Sequence, residues 1–402
     1  MSTARARQLT SGLIALLLVV DGALIGAYFG RRTAMRPDHA TDAAHESEPG
    51  PDWAGLSRTD LRIAGAFGAL QDEGLSAALD ALERSAAEDS AVLRSGHQLA
   101  HALGRTALVV SGNDASVIAQ CRPIFASGCY HGVVESYLQT RTHIDMGALG
   151  AMCESAGDAR SGAIGACMHG LGHGVVGAMA YDLDAALAQC DGLAAPESAE
   201  ACHSGAFMEA INSAFGKPRL GASGHAHGAS AGQTELRLLD PQDPYAPCDR
   251  YSAPYADPCW GYQGFIVLRY AAFDAAAALD LCNDAPGERA SQCYRSVGFQ
   301  LTGLYQRDDG WIVEQCTRGD PSLQASCAAG AATALVAIDW SGSRAVRFCE
   351  LSPASWKEAC YRATGELLAN VTDPSTSAAL CETVDQGYVD SCRGGASHES
   401  EG

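Results

Sequence analysis

Sixteen cysteines fall into eight close pairs: Cys121 with Cys129, Cys153 with Cys167, Cys190 with Cys202, Cys248 with Cys259, Cys282 with Cys293, Cys316 with Cys327, Cys349 with Cys360 and Cys381 with Cys392. The second cysteine of each pair follows the one before it by 38, 35, 57, 34, 34, 33 and 32 residues. A period near 34 residues marks stacked two-helix repeats, each burying its apolar face against its neighbours instead of in one central core. The ladder therefore predicts an all-α fold, an αα-hairpin repeat superhelix. The stretch from Ala69 to Val110 keeps the same rhythm without cysteines and reads as a first repeat, giving nine units, eight of them with an intra-hairpin disulfide.

One unit shows the plan. Phe273 to Leu281 reads as a first helix, Asn283 to Gly287 as a turn and Arg289 to Leu304 as a second helix, so a Cys282–Cys293 bridge staples the hairpin beside its turn. Closing a loop of about twelve residues stabilises such a hairpin by roughly 2–3 kcal/mol in the chain-entropy model. The 44 glycines would otherwise weaken these helices. Zinc sites are the alternative use of paired cysteines, but the spacings exceed the roughly two to four residues of zinc ribbons. Disulfides imply an oxidising compartment.

The N-terminus agrees. Leu13 to Phe29 is apolar apart from Asp21, with Arg5 and Arg7 before it and Arg31 and Arg32 after it. That length just spans a bilayer, and no small-x-small cleavage site closes the apolar stretch before Arg31. The expected organisation is a transmembrane anchor over 1–30, a polar linker over 31–56, the repeat domain over 57–395 and a short tail over 396–402. The domain then sits on the extracytoplasmic side, tied to the membrane by an uncleaved helix; a cleaved signal peptide is the alternative. The 57-residue step holds an insertion at about 214–246, rich in glycine, with Gly-His-Ala-His-Gly placing His225 and His227 at its tip. That segment reads as a loop tip or as a lid. A net charge of −20 repels a phosphate backbone and excludes nucleic acid as a partner.

The segments CNDAPGERASQCYRSVG, CTRGDPSLQASCAAG and CRPIFASGCYHG, in which one cysteine ends a helix and its partner begins the next, resemble the disulfide-stapled Sel1-like repeats, relatives of tetratricopeptide repeats. The resemblance spans about 115–395. It implies an αα superhelix and leaves function to the site.

With the second cysteine of each unit as position zero, histidines and carboxylates fall into columns. His131 and Glu135 stand at plus two and plus six, and His169 and His173 at the same offsets. Alignment by the period puts His97 and His101 there in the first unit. Residues four apart share one helix face. Adjacent helices pack roughly 8–10 Å apart, close enough for these side chains to share a metal ion. His97, His101, His131, Glu135, His169 and His173 thus form a candidate site for one or two ions of iron, zinc, copper or manganese. His203 and Glu209, at plus one and plus seven, are rotated about 100° and are candidates for a supporting contact or a further ligand. The glycines at plus three in the second and third units, Gly132 and Gly170, and Gly205 in the fourth, either allow close helix packing or leave room for a ligand. Later units lose the pattern.

Hydrolase elbows, His-Glu-x-x-His motifs, phosphate loops and c-type haem attachments are all missing, and no cysteine is left over as a nucleophile. The readings left open are a mono- or dinuclear metal enzyme and a metal carrier. A repeat scaffold for a peptide, protein or cell-wall ligand, or a noncovalent haem held by two imidazoles, are the alternatives.

Overall fold

A computed structural model describes residues 58–141, 143–157, 162–214, 238–240, 242–305 and 308–396. They all belong to one compact unit, Leu56–Gly402. The expected anchor and linker, His225 and His227, and residues 397–402 lie outside the described residues. Among the described residues no helix is long and apolar enough to cross a membrane.

The described chain is all-helical. The described chain begins with α1 (Arg58–Glu73), and the first unit is the pair α2 (Leu75–Glu88) and α3 (Ser90–Val110). Then follow α4 (Gly128–Gln139), the pair α5 (Met146–Glu154) and α6 (Ala163–Ala178), and the pair α7 (Leu183–Cys190) and α8 (Pro196–Ala214). Beyond the insertion come α9 (Ala256–Trp260) and α10 (Gln263–Tyr270), then α11 (Ala275–Asn283) with α12 (Arg289–Tyr305). The array ends with α13 (Asp309–Cys316) and α14 (Gln324–Asp339), α15 (Ser343–Leu351) and α16 (Ala354–Val371), and α17 (Pro374–Cys381) and α18 (Val389–Ala396).

The eight expected bridges are all formed. Cys121 is bonded to Cys129, Cys153 to Cys167, Cys190 to Cys202 and Cys248 to Cys259. Cys282 is bonded to Cys293, Cys316 to Cys327, Cys349 to Cys360 and Cys381 to Cys392. Their Cα–Cα separations lie between 5.3 and 5.7 Å, the range a disulfide spans without moving the backbone. The cysteines are therefore staples and none is a metal ligand.

An aspartate before the first helix of a hairpin repeatedly starts it. Asp145, Asp182, Asp274, Asp308 and Asp373 each accept a hydrogen bond from a backbone N–H of the first turn. These caps satisfy donors the helix itself leaves unpaired. Two hairpins depart from the plan. The second unit opens with a 3-10 turn, Ala115–Gln120, and the fifth with another, Cys248–Arg250. In the fifth, Pro244, Pro247 and Pro254 remove backbone donors and exclude a regular helix. An additional helix, α1, packs on α2 ahead of the first repeat.

The second helices form the spine: α3 packs on α4, α4 on α6 and α6 on α8; beyond the insertion α10, α12, α14, α16 and α18 follow in series. Their contacts run backbone to backbone. A Cβ on Gly132, Gly205, Gly330 or Gly395, all at plus three, would overlap the carbonyl oxygen of His101, His169, Arg295 or Arg362 in the preceding unit. A Cβ on Gly172, Gly298 or Gly365, at plus five, would overlap the second cysteine's carbonyl in the following unit, that of Cys202, Cys327 or Cys392. These glycines are therefore packing surfaces, whereas a Cβ on Gly170, also at plus three, would meet the His131 ring at 2.9 Å.

This register corrects the alignment of the first unit. Gly132 meets the carbonyl of His101, which makes His101 the plus-two residue; Gly104 meets the carbonyl of Cys129, which makes it plus five. Both contacts put position zero at Leu99, one helical turn beyond the position the period alone suggests. The unit has no cysteine to anchor the count, so backbone packing sets its register. Plus two and plus six are then His101 and Arg105, and His97 lies one turn earlier.

The array also curves back on itself. Trp340, just past α14, packs edge-on against Phe125 at 4.6 Å and donates its indole N–H to Glu83 Oε1 at 3.1 Å. Gly162, in the left-handed conformation at φ 64°, lies so close to the Asn370 carbonyl that no side chain fits.

Candidate metal centre

Because α3, α4, α6 and α8 stack in order, their chemistry-bearing columns fall side by side. Nitrogens of His131 from α4 and of His169 and His173 from α6 all lie within 4.8 Å of one another. Ring centroids are 5.4 Å apart for His131–His169, 4.7 Å for His131–His173 and 5.0 Å for His169–His173. His131 and His173 are buried, and His169 is partly exposed.

Hydrogen bonds fix the ring states. His173 Nδ1 lies 3.1 Å from Glu209 Oε2, so it carries the proton and donates it to the carboxylate. Nε2 then accepts a hydrogen bond from His169 Nε2–H at 3.2 Å, and its lone pair faces the cluster. A carboxylate behind an imidazole is the usual support of a metal-binding histidine. Glu209 is itself held by Ser213 Oγ at 3.1 Å and the Tyr181 hydroxyl at 3.4 Å, both donating to Oε1. His131 is the exception. Both its nitrogens are buried and make no hydrogen bond. An unsatisfied buried polar group costs about 1–3 kcal/mol, so this ring suits a partner that takes a lone pair.

The electrostatics favour neutral rings. Burial, reinforced by neighbouring imidazoles, holds the His131 and His169 pKa values well below 6.5. Burial likewise lowers His101, with the Arg105 guanidinium adding to the effect, and it lowers His97 against the pull of its hydrogen bond to the Phe125 carbonyl. At neutral pH these four rings are uncharged, the form in which an imidazole can offer a lone pair to a metal.

His101 and Glu135 form a separate arrangement. Arg105 Nη2 lies 3.4 Å from His101 Nδ1, and His101 Nε2 lies 3.4 Å from Glu135 Oε2. The arginine donates to Nδ1, leaving the Nε2 proton directed at the carboxylate. This second contact is an electrostatic pairing without hydrogen-bond geometry, since Glu135 Oε2 has no hydrogen-bond partner. Burial raises Glu135 to about 7, against the opposing charge of Arg105. A guanidinium on this flank disfavours a second cation. His97 donates Nδ1–H to the Phe125 carbonyl at 3.0 Å, and its ring lies 5.3 Å from that of His131.

His203 does not join the cluster. Its Nε2 meets Asp191 Oδ1 at 2.9 Å and its ring packs edge-on against Tyr255, whose hydroxyl donates to Asp191 Oδ2 at 2.5 Å. Its one-residue offset turns it to the other flank of α8 and ties the fourth unit to the fifth. Arg105, Ser213, Tyr181 and the Phe125 carbonyl are site residues that the columns did not single out. Arg105 becomes legible once the glycine contacts set the register, whereas Tyr181 reaches Glu209 from a turn and leaves no pattern.

Three imidazoles at this spacing can share one ion, and three protein ligands leave a coordination position for water or a substrate. Comparisons with protein-family models, curated proteins and solved structures give no match. The site alone therefore carries the functional argument.

Proposed function

We propose that the domain is an extracytoplasmic metal-binding protein holding one transition-metal ion at His131, His169 and His173. The observation that carries this reading is the convergence of three imidazoles within 4.8 Å, one of them with both nitrogens buried and unpartnered. Glu209 orients His173, and Glu135 and His97 lie beside the triad without completing it. Imidazole ligands without a carboxylate favour zinc, copper or iron over manganese. Rings packed this closely suit a shared ion better than a macrocycle between facing imidazoles. The eight disulfides support the extracytoplasmic location.

Elemental analysis of the purified full-length chain tests the reading. The expected result is one ion per chain, lost when His131 and His169 are both replaced by alanine in a protein that keeps its helical circular dichroism. A folded wild-type chain that takes up no zinc, copper or iron on reconstitution would overturn it.

A further inference from the structure

A buried triad must be reached by its ion, and the structure assigns a residue to that task. We propose that His97 is the loading ligand: it takes a divalent cation from the partly exposed side of the cluster and passes it to His131. The inference rests on the metal-binding reading above.

Three observations carry it. His97 is partly exposed whereas His131 is buried, and their rings lie 5.3 Å apart on the adjacent helices α3 and α4. The His97 ring is locked in the state such a ligand needs, because Nδ1–H donates to the Phe125 carbonyl at 3.0 Å and leaves the Nε2 lone pair free. His131 has two unpartnered nitrogens, and an ion bound in the triad uses one of them. The other flank of the cluster is guarded by Arg105, whose guanidinium lies 3.4 Å from His101 Nδ1 and repels a cation approaching there. His97 itself falls outside the group of nitrogens that converge within 4.8 Å. It is placed to receive the ion without keeping it.

A residue that acts only along the path lowers the barrier in both directions and leaves the equilibrium unchanged. His97→Asn keeps a side-chain donor for the Phe125 carbonyl and removes the free lone-pair nitrogen. Stopped-flow uptake and chelator-driven release of cobalt(II) by the full chain should both slow about tenfold, with capacity, dissociation constant and melting temperature unchanged. His97→Gln serves as a second variant should the first lower the melting temperature. Unchanged rates would overturn the proposal and make the partly exposed His169 the access point. A weaker dissociation constant or lower capacity would also overturn it, by making His97 a resident ligand. Failure of the wild-type chain to bind cobalt(II) would instead overturn the metal reading itself.

Discussion

His131 concentrates the cost of the site in one ring: two buried nitrogens without a partner, surrounded by four other histidines. Replacing Glu209 by alanine removes the acceptor that fixes His173, and metal affinity should fall about 10–100-fold in a competitive chelator titration; unchanged affinity would show that the pair is structural. Protons test the same cluster in the metal-free protein. His97, His101, His131 and His169 have folded-state values below 6.5, so the unfolded chain takes up their protons first. Their contribution to stability is complete above pH 6.5 and is lost as pH falls below it. Glu135 acts in the opposite sense: raised from 4.5 to about 7, it contributes most below pH 4.5 and loses that share as pH rises through 7. Four groups outweigh one. The melting temperature of the metal-free chain should therefore drop between neutral pH and pH 5.5, and less steeply in His131→Asn; equal slopes would contradict the assignment. The i, i+4 histidine pairs make this cluster legible in the sequence. Which imidazoles converge was not legible, because that depends on the packing register of helices from separate units.

At the scale of helices, glycine decides the register. The plus-three and plus-five columns bring second helices into backbone contact, so side chains at plus two and plus six of successive units become neighbours. Gly205→Ala would force a Cβ into the His169 carbonyl and should destabilise the domain by about 1–3 kcal/mol in a denaturant titration. Gly68→Ala in α1 meets nothing within 4 Å and should stabilise by about 0.5–1 kcal/mol. Equal effects at the two positions would remove the packing argument. Sequence spacing left these glycines with two readings, packing or room for a ligand. The carbonyls opposite Gly132 and Gly205 make them packing positions, while Gly170 lies against the His131 ring. The same contacts shift the first unit by a turn, which puts His101 and Arg105 in the plus-two and plus-six columns and leaves His97 one turn earlier.

Across the whole repeat array, the cysteine period conveys the architecture because each staple is local: every bridge closes within 8 to 14 residues. The return of the seventh unit to the first two is not legible, since Trp340 and Glu83 are 257 residues apart and belong to no repeated motif. Trp340→Ala should lower the melting temperature while leaving all eight disulfides formed, as counted by thiol titration; an unchanged melting temperature would make that closing contact incidental. The frame matters because it holds α3, α4, α6 and α8 in one register, and the site exists only in that register. X-ray absorption of the reconstituted full-length protein tests this most directly. The expected coordination sphere contains three imidazole nitrogens at about 2.0–2.1 Å, reduced in His131→Ala. A shell dominated by carboxylate oxygens or sulfur, or one unchanged by that substitution, would contradict it.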